Sequence, residues 1–294
     1  MRLPLAIIAP RGQFIIDLNN EGKMKFLLAT SLFLIFSCQV YSKTKEERKY
    51  FPNMQGCFLL YNIQSQKFEK VIGENNCRER LTAFSTFKVP LSVVALDASL
   101  IKDENQIIKW DGKKRERQAW NQDQNLKTWM KESTIWVSQE FTSKLGEKKL
   151  KEYLKKLKYG NEDISSGITT AWINHPDDKD SGLTISPYEQ VEFMKRLWTN
   201  ELPVSQTSMK ITQEITYLET SLKGFKMYGK TGSQSFKSNQ KRKAGWFISR
   251  ITDGKRDYIT VLNFKDEVTP KGSEYGGPRA KALTKKILEE SKLW

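Results

Sequence analysis

The chain has 294 residues, 38% apolar and 28% charged, enough to bury a sizeable core in one large domain or two modest ones and too apolar for disorder along its whole length. Lys and Arg number 49 against 34 Asp and Glu, a formal charge of +15. With one histidine, His175, and no CxxC pair among three cysteines, a His- or Cys-rich zinc site is excluded, and a Ser-His-Asp hydrolase would have to use a histidine set in the polar run Asn174 to Asp180.

Phe26 to Cys38 is an apolar run of 13 residues behind Lys25, too short for a comfortable membrane span and of the length of a signal-peptide core. Met24-Lys25 makes a natural start, so residues 1–23 read as a misassigned start and 24–42 as the signal, cleaved before Lys43. A lipidated Cys38 is the alternative. Without residues 1–42 the chain keeps 45 basic and 32 acidic residues, or +13, interleaved as in Glu147 to Lys158. That pattern fits a solvated helix face, and no nucleic-acid motif or membrane span in the mature form is expected. In an oxidising compartment Cys57 and Cys77 are free to pair, closing a loop worth roughly 3 kcal/mol, although spacing alone does not establish the bond.

Gly56 to Tyr61 and Lys67 to Ile72 read as two strands joined through Gln64-Ser65, a hairpin. Phe87 to Leu100 is an apolar helix, with Pro90 tolerated in its first turn. An irregular stretch holds Trp110, Trp120 and Trp129. Ser133 to Leu145 reads as a helix ending at Gly146, and Lys149 to Lys158 carries a helical stripe of Leu150, Tyr153, Leu154 and Leu157. Ser186-Pro187-Tyr188-Glu189 is a capping box with proline at the first helical position. A further helix follows Pro203. Lys226 to Tyr228, Gly245 to Ile251 and Tyr258 to Phe264 read as strands, and Pro278 to Glu290 as a closing helix. Hairpin-length joins predict an antiparallel sheet of about five strands flanked by helices, an α+β arrangement with a helical block between strands 2 and 3.

Ser85-Thr86-Phe87-Lys88 is an S-x-x-K element at the start of the apolar helix. It places a hydroxyl and an amine one turn apart, where the amine can take the hydroxyl proton and the helix dipole favours the anion. The same spacing recurs at Ser42/Lys45, Ser99/Lys102 and Ser238/Lys241, so the motif alone leaves Ser85 either a nucleophile or an ordinary N-cap. Lys230-Thr231-Gly232 follows the strand Lys226 to Tyr228. There the cation and hydroxyl suit an anionic group, and the glycine lets a substrate lie close to the backbone.

The order S-x-x-K then K-T-G marks penicillin-binding proteins and serine β-lactamases. With Cys57, Trp110-Asp111, Lys127-Thr128-Trp129-Met130, Ser133-Thr134-Ile135, Trp136-Val137-Ser138-Gln139-Glu140, Tyr159-Gly160-Asn161, Ile185-Ser186-Pro187 and Gly245-Trp246-Phe247, the sequence resembles the class D, oxacillinase-type, β-lactamases over most of residues 55 to 294.

The resemblance implies the penicillin-binding-protein/β-lactamase fold and hydrolysis of the β-lactam ring through a serine acyl-enzyme, conferring resistance, by an exported, periplasmic enzyme. Its partner is a small β-lactam substrate, and nothing in the sequence speaks to oligomeric state. Ser85 would be acylated. Lys88, carboxylated by CO2 to N6-carboxylysine and needing no metal or other cofactor, would be the general base, with Trp172 holding the carbamate and Ile135, in place of the family's valine, keeping it dry. Ser133 would bridge Lys88 and Lys230 and pass a proton. Lys230, Thr231, Gly232 and Arg279 would bind the substrate carboxylate, the backbone N–H groups of Ser85 and Ser233 would form the oxyanion hole, and Tyr159 and Asn161 would shape the pocket. A β-lactam sensor or transpeptidase, acylated without turnover, is the alternative.

Overall fold

A computed structural model describes residues 42–179, 182–272 and 274–294. The expectations for a start, a signal segment and a lipidated Cys38 fall on residues 1–41, outside the described residues.

The helices are α1 Lys45–Tyr50, α2 Glu74–Arg78, α3 Lys88–Asp97, α4 Leu126–Glu132, α5 Ile135–Leu157, α6 Pro187–Trp198, α7 Gln206–Ile215 and α8 Gly276–Glu290. The strands are β1 Met54–Asn62, β2 Lys67–Ile72, β3 Leu81–Thr82, β4 Thr184–Ile185, β5 Tyr217–Thr220, β6 Lys226–Ser235, β7 Lys243–Thr252 and β8 Asp257–Asp266. Six of the strands form one antiparallel sheet in the order β2-β1-β8-β7-β6-β5, and β3 and β4 make a separate two-stranded ladder. The sheet thus has one strand more than the sequence suggests. The extra one, β5, is an exposed edge strand of four residues with no alternation of burial to announce it.

Alternation along the strands sends side chains to two different cores. Leu59, Trp246, Ile248, Ile259 and Val261 join the helical block between β2 and β5. Phe58, Phe247, Leu262 and Phe264 meet Tyr50 of α1 and Ala280, Ile287 and Leu288 of α8 on the other face. The result is three layers: helices, sheet, helices. A disulfide joins Cys57 of β1 to Cys77 of α2.

Local chemistry accounts for the boundaries. Ser186 caps α6 through a full capping box, with Pro187 at its first position. The backbone leaves helical geometry at Gly146 (φ 74°, ψ 161°), so α5 is two helical pieces meeting at that glycine. β6 runs past Tyr228 to Ser235, held by continuous pairing with β7 from Lys226↔Thr252 to Ser235↔Lys243. Lys230-Thr231-Gly232 therefore lies inside a strand, not after one.

Candidate active site

Ser85 stands on a 3-10 turn, Phe84–Phe87, that runs directly into α3. Phe84 has φ +48°, a left-handed conformation that costs a non-glycine residue about 1–2 kcal/mol. Its ring is buried at 1% exposure, which anchors the turn. Among Phe84, Thr86, Phe87 and Lys88, all buried, Ser85 alone is half-exposed. No side chain caps the 3-10 turn or α3. The Ser85 hydroxyl is thus not used as an N-cap.

Lys88 opens α3 and is 1% exposed. Burial first, then the positive charges of Lys230 and Arg117, hold its amine well below the usual lysine range. Its Nζ has no hydrogen-bond partner among the described residues, and neither does Nε1 of the buried Trp172. The Trp172 ring lies 5.1 Å from that of Phe87, the residue before Lys88. A polar amine and an indole N–H buried without acceptors are costly, and both would be satisfied by an anionic group added to Lys88. The residues present therefore fit a carbamate.

β6 supplies the opposite wall. It pairs with β5 only to Tyr228, after which Gly229 N–H donates to Thr216 O at 2.7 Å. Beyond that the edge has no strand partner among the described residues. Donors alternate sides along a strand, so the N–H groups of Thr231 and Ser233 face the same open edge as that of Gly229. Side chains alternate as well. Gly232 faces the nucleophile turn, where a Cβ would stand 3.1 Å from Phe84 Cβ and 3.3 Å from Ser85 N. Thr231 and Ser233 face α8, with Gly277 N–H donating to Ser233 Oγ at 2.7 Å. Lys230, 5% exposed, donates to Thr231 O at 3.0 Å. Burial and the charge of Arg117 push its pKa down to about 7.

Ser133 is the C-cap of α4 in a left-handed conformation (φ 58°), at the junction with α5. Among the described residues it makes no hydrogen bond to Lys88, whose Nζ is unpartnered. Ile135 begins α5 half-exposed. Tyr159 is fully buried behind α3 rather than on the cleft surface. Its hydroxyl accepts from Gln190 Nε2 at 3.3 Å, which also donates to Thr86 Oγ1 at 3.1 Å, and burial raises its pKa. Asn161 fastens the base of the loop that carries Trp172, donating to Gly182 O at 2.8 Å and accepting from Thr184 N at 2.9 Å. His175 is a loop fastener, with Nδ1 2.7 Å from Ser235 O on the β6 edge.

Arg279 is held by a carboxylate of the neighbouring strand β8. Its guanidinium makes two hydrogen bonds to Asp266, at 2.9 and 2.8 Å, and stacks on Phe264 on the α8 face of the sheet. The buried Asp266 needs that cation, so the Arg279 guanidinium is engaged with Asp266 of β8. Arg117 adds its positive charge to burial in lowering both Lys88 and Lys230. It lies in the irregular tryptophan-rich stretch, where no periodicity or motif marks it.

Comparison with known proteins agrees with this geometry. The penicillin binding protein transpeptidase domain matches residues 56–289. The chain is 36% identical over 230 residues to β-lactamase OXA-1 of Escherichia coli, covering 74% of this chain and 80% of that one. The solved class D β-lactamase BAT-2 superposes with a TM-score of 0.73 at 33% identity, covering 84% of this chain and 95% of the other. The C-terminal domain of the Bacillus licheniformis BlaR penicillin-receptor superposes with a TM-score of 0.74 at 29% identity, covering 84% and 94%.

Proposed function

This chain belongs to the class D β-lactamases, and it hydrolyses the β-lactam ring and so supports resistance; we propose that Ser85 is its acylated nucleophile and Lys88, as N6-carboxylysine, its general base. The observation that carries the assignment is the pair of buried, unpartnered groups, Lys88 Nζ and Trp172 Nε1, beside the serine turn. A lysine held neutral by its surroundings is the form that adds CO2. Carboxylated, Lys88 would offer a carboxylate base for acylation and deacylation, held by the Trp172 N–H.

Ser85 Oγ gives up its proton towards Lys88 and attacks the lactam carbonyl carbon. The N–H groups of Ser85 and Ser233 receive the oxyanion. As the ring C–N bond breaks, Ser133 passes its proton to the leaving nitrogen and takes back the one that Lys88 holds. Lys88 then takes a proton from water as the water oxygen attacks the ester carbon, and returns it to Ser85 Oγ as the ester C–O bond breaks. Thr231 and Lys230 bind the substrate's anionic group, and Gly232 keeps the β6 edge close to the serine.

The test is turnover of a chromogenic cephalosporin by wild type, Ser85→Ala and Lys88→Ala. The expected result is sustained hydrolysis by the wild type and less than about a hundredth of that rate in either variant, because such residues act as a unit. Retained activity in Ser85→Ala removes the assignment. The alternative, acylation without turnover, would appear as a burst of one equivalent; the likeness to BlaR, at 29% identity, does not support it better than hydrolysis.

We also propose export, with residues 24–42 as the signal. Lys43, the first residue after it, is already fastened to the folded body, donating to Met54 O at 2.9 Å and pairing with Glu267 at 2.7 Å. Intact mass of the exported protein distinguishes a start at Lys43 from a lipidated Cys38, and finding residues 1–23 on the mature chain overturns the proposal.

A further inference from the structure

Arg117 precedes a short 3-10 turn, Gln118–Trp120, and its side chain is exposed. Its guanidinium carbon lies 5.3 Å from the ring centroid of Trp120 and 5.3 Å from that of Tyr275. The two rings belong to different walls. Trp120 is fixed beside Ser133: its Nε1 donates to Glu132 O at 2.9 Å, and its own carbonyl accepts from Trp136 Nε1 at 2.9 Å. Tyr275 is the N-cap of α8, two residues before Gly277, where a Cβ would come within 2.9 Å of Thr231 Cβ. Arg117 thus bridges from the α4–α5 junction to the Thr231 edge.

Nearby arginines are neutralised and Arg117 is not. Arg115 holds Asp111 through two hydrogen bonds of 2.8 and 2.7 Å, and Arg279 holds Asp266. No carboxylate among the described residues pairs with Arg117. A guanidinium stacked on aromatic rings keeps its planar fork available, and that fork suits a carboxylate.

Resting on the reading of Ser85 as a β-lactam nucleophile, we propose that Arg117 receives the carboxylate of the β-lactam substrate, across from Thr231, in the role the resemblance implies for Arg279. The need for such a group follows from the floor of the cleft. Lys230, with a pKa of about 7, is only partly charged at neutral pH, whereas an arginine is always charged. An incoming carboxylate would also relieve the repulsion between Arg117 and Lys230.

The experiment compares acylation of wild type, Arg117→Met and Arg117→Lys by benzylpenicillin and by its methyl ester. Methionine keeps apolar contact with Trp120 and Tyr275 and removes the charge. The acid should lose about ten-fold or more in acylation efficiency in Arg117→Met, the scale of a hydrogen bond to a charged group, while the ester changes less than about two-fold. Arg117→Lys should restore part of the preference for the acid. The acid limb of the pH–rate profile should move to higher pH in Arg117→Met, because removing a positive charge raises the lysine pKa values, and a merely structural side chain would not move it. An acid-to-ester preference unchanged in both variants, with melting temperatures near wild type, overturns the proposal. If Arg117→Met does not fold, Arg117→Gln takes its place under the same criterion. Wild type that acylates with neither compound would instead defeat the reading of Ser85.

Discussion

Gly232 lies against the backbone of Ser85: a Cβ at position 232 would stand 3.3 Å from Ser85 N and 3.1 Å from Phe84 Cβ. The need for glycine is one of space, because Gly232 is not among the positive-φ residues. The turn that would have to give way presents the proposed nucleophile and one proposed oxyanion donor. Gly232→Ala should therefore lower acylation by about ten-fold and Gly232→Val by about a hundred-fold, since displacements near 1 Å cost rates of that order. Melting temperature should fall only a few degrees. Stopped-flow acylation beside thermal unfolding checks this, and a Val variant that acylates at wild-type rate removes the close approach from the mechanism.

What the sequence makes legible here is what local chemistry determines. The Ser186 capping box, the Gly146 break and the apolar runs of β1, β7 and β8 are short-range signals, and the structure follows them. β6 shows the limit. Its second half, Gly229 to Ser235, has no apolar alternation, and its strand geometry comes from pairing with β7. α4 is seven residues long, and its capping box uses Thr128 rather than an acidic residue. At the site, Ser85, Lys88 and Lys230 stand out as motifs. Arg279 and Arg117 do not sort themselves by motif, because what separates them is long-range: Asp266 on β8 for one, and Tyr275 across the chain for the other.

Arg279→Met tests that sorting from the other side. Asp266 is 1% exposed and also accepts Lys243 N–H at 2.8 Å. Removing its cation leaves a buried carboxylate short of a partner, a loss of about 3–5 kcal/mol. Melting temperature should fall by roughly 10 °C, and Asp266→Asn in the same chain should recover part of it. Activity per folded molecule should stay within about three-fold of wild type. A large loss of kcat/KM with unchanged melting would return Arg279 to substrate binding.

Lys230 makes stability depend on pH. Burial holds its native pKa at about 7, against about 10.4 for an exposed lysine. Between those values the unfolded chain binds a proton that the native chain lacks, so this residue's contribution to stability rises with pH through that window. Below about 7 both states are charged and the full desolvation penalty is felt. Urea unfolding of wild type and Lys230→Met at pH 7 and 9.5 isolates the effect. The wild type should gain at least about 1 kcal/mol on the variant as pH rises, less than one pKa unit's worth. A difference that is flat or of opposite sign would mean that Lys230 is charged in the native protein.

Carboxylation of Lys88 makes the sharpest prediction, because it is reversible and chemically visible. A carbamate loses CO2 once protonated, so activity should fall in mildly acidic, CO2-depleted buffer and return with bicarbonate. The buried Trp172 Nε1 has no other acceptor among the described residues, so its role can be separated from its bulk. Trp172→Phe keeps an aromatic ring beside Phe87 and removes only the donor, and it should raise the bicarbonate concentration needed for recovery. Ile135→Ser, at the half-exposed start of α5, should do so by admitting water. Carbon-13 bicarbonate labelling then reads the modification directly by NMR: a carbamate signal in wild type, a weaker one in Trp172→Phe, none in Lys88→Ala. An unmodified lysine base would show an ordinary pH profile with no bicarbonate rescue. Full hydrolysis by a wild type that shows no carbamate signal would make Lys88 a free-amine base, and the paired vacancies in hydrogen bonding at Lys88 and Trp172 would then need another partner.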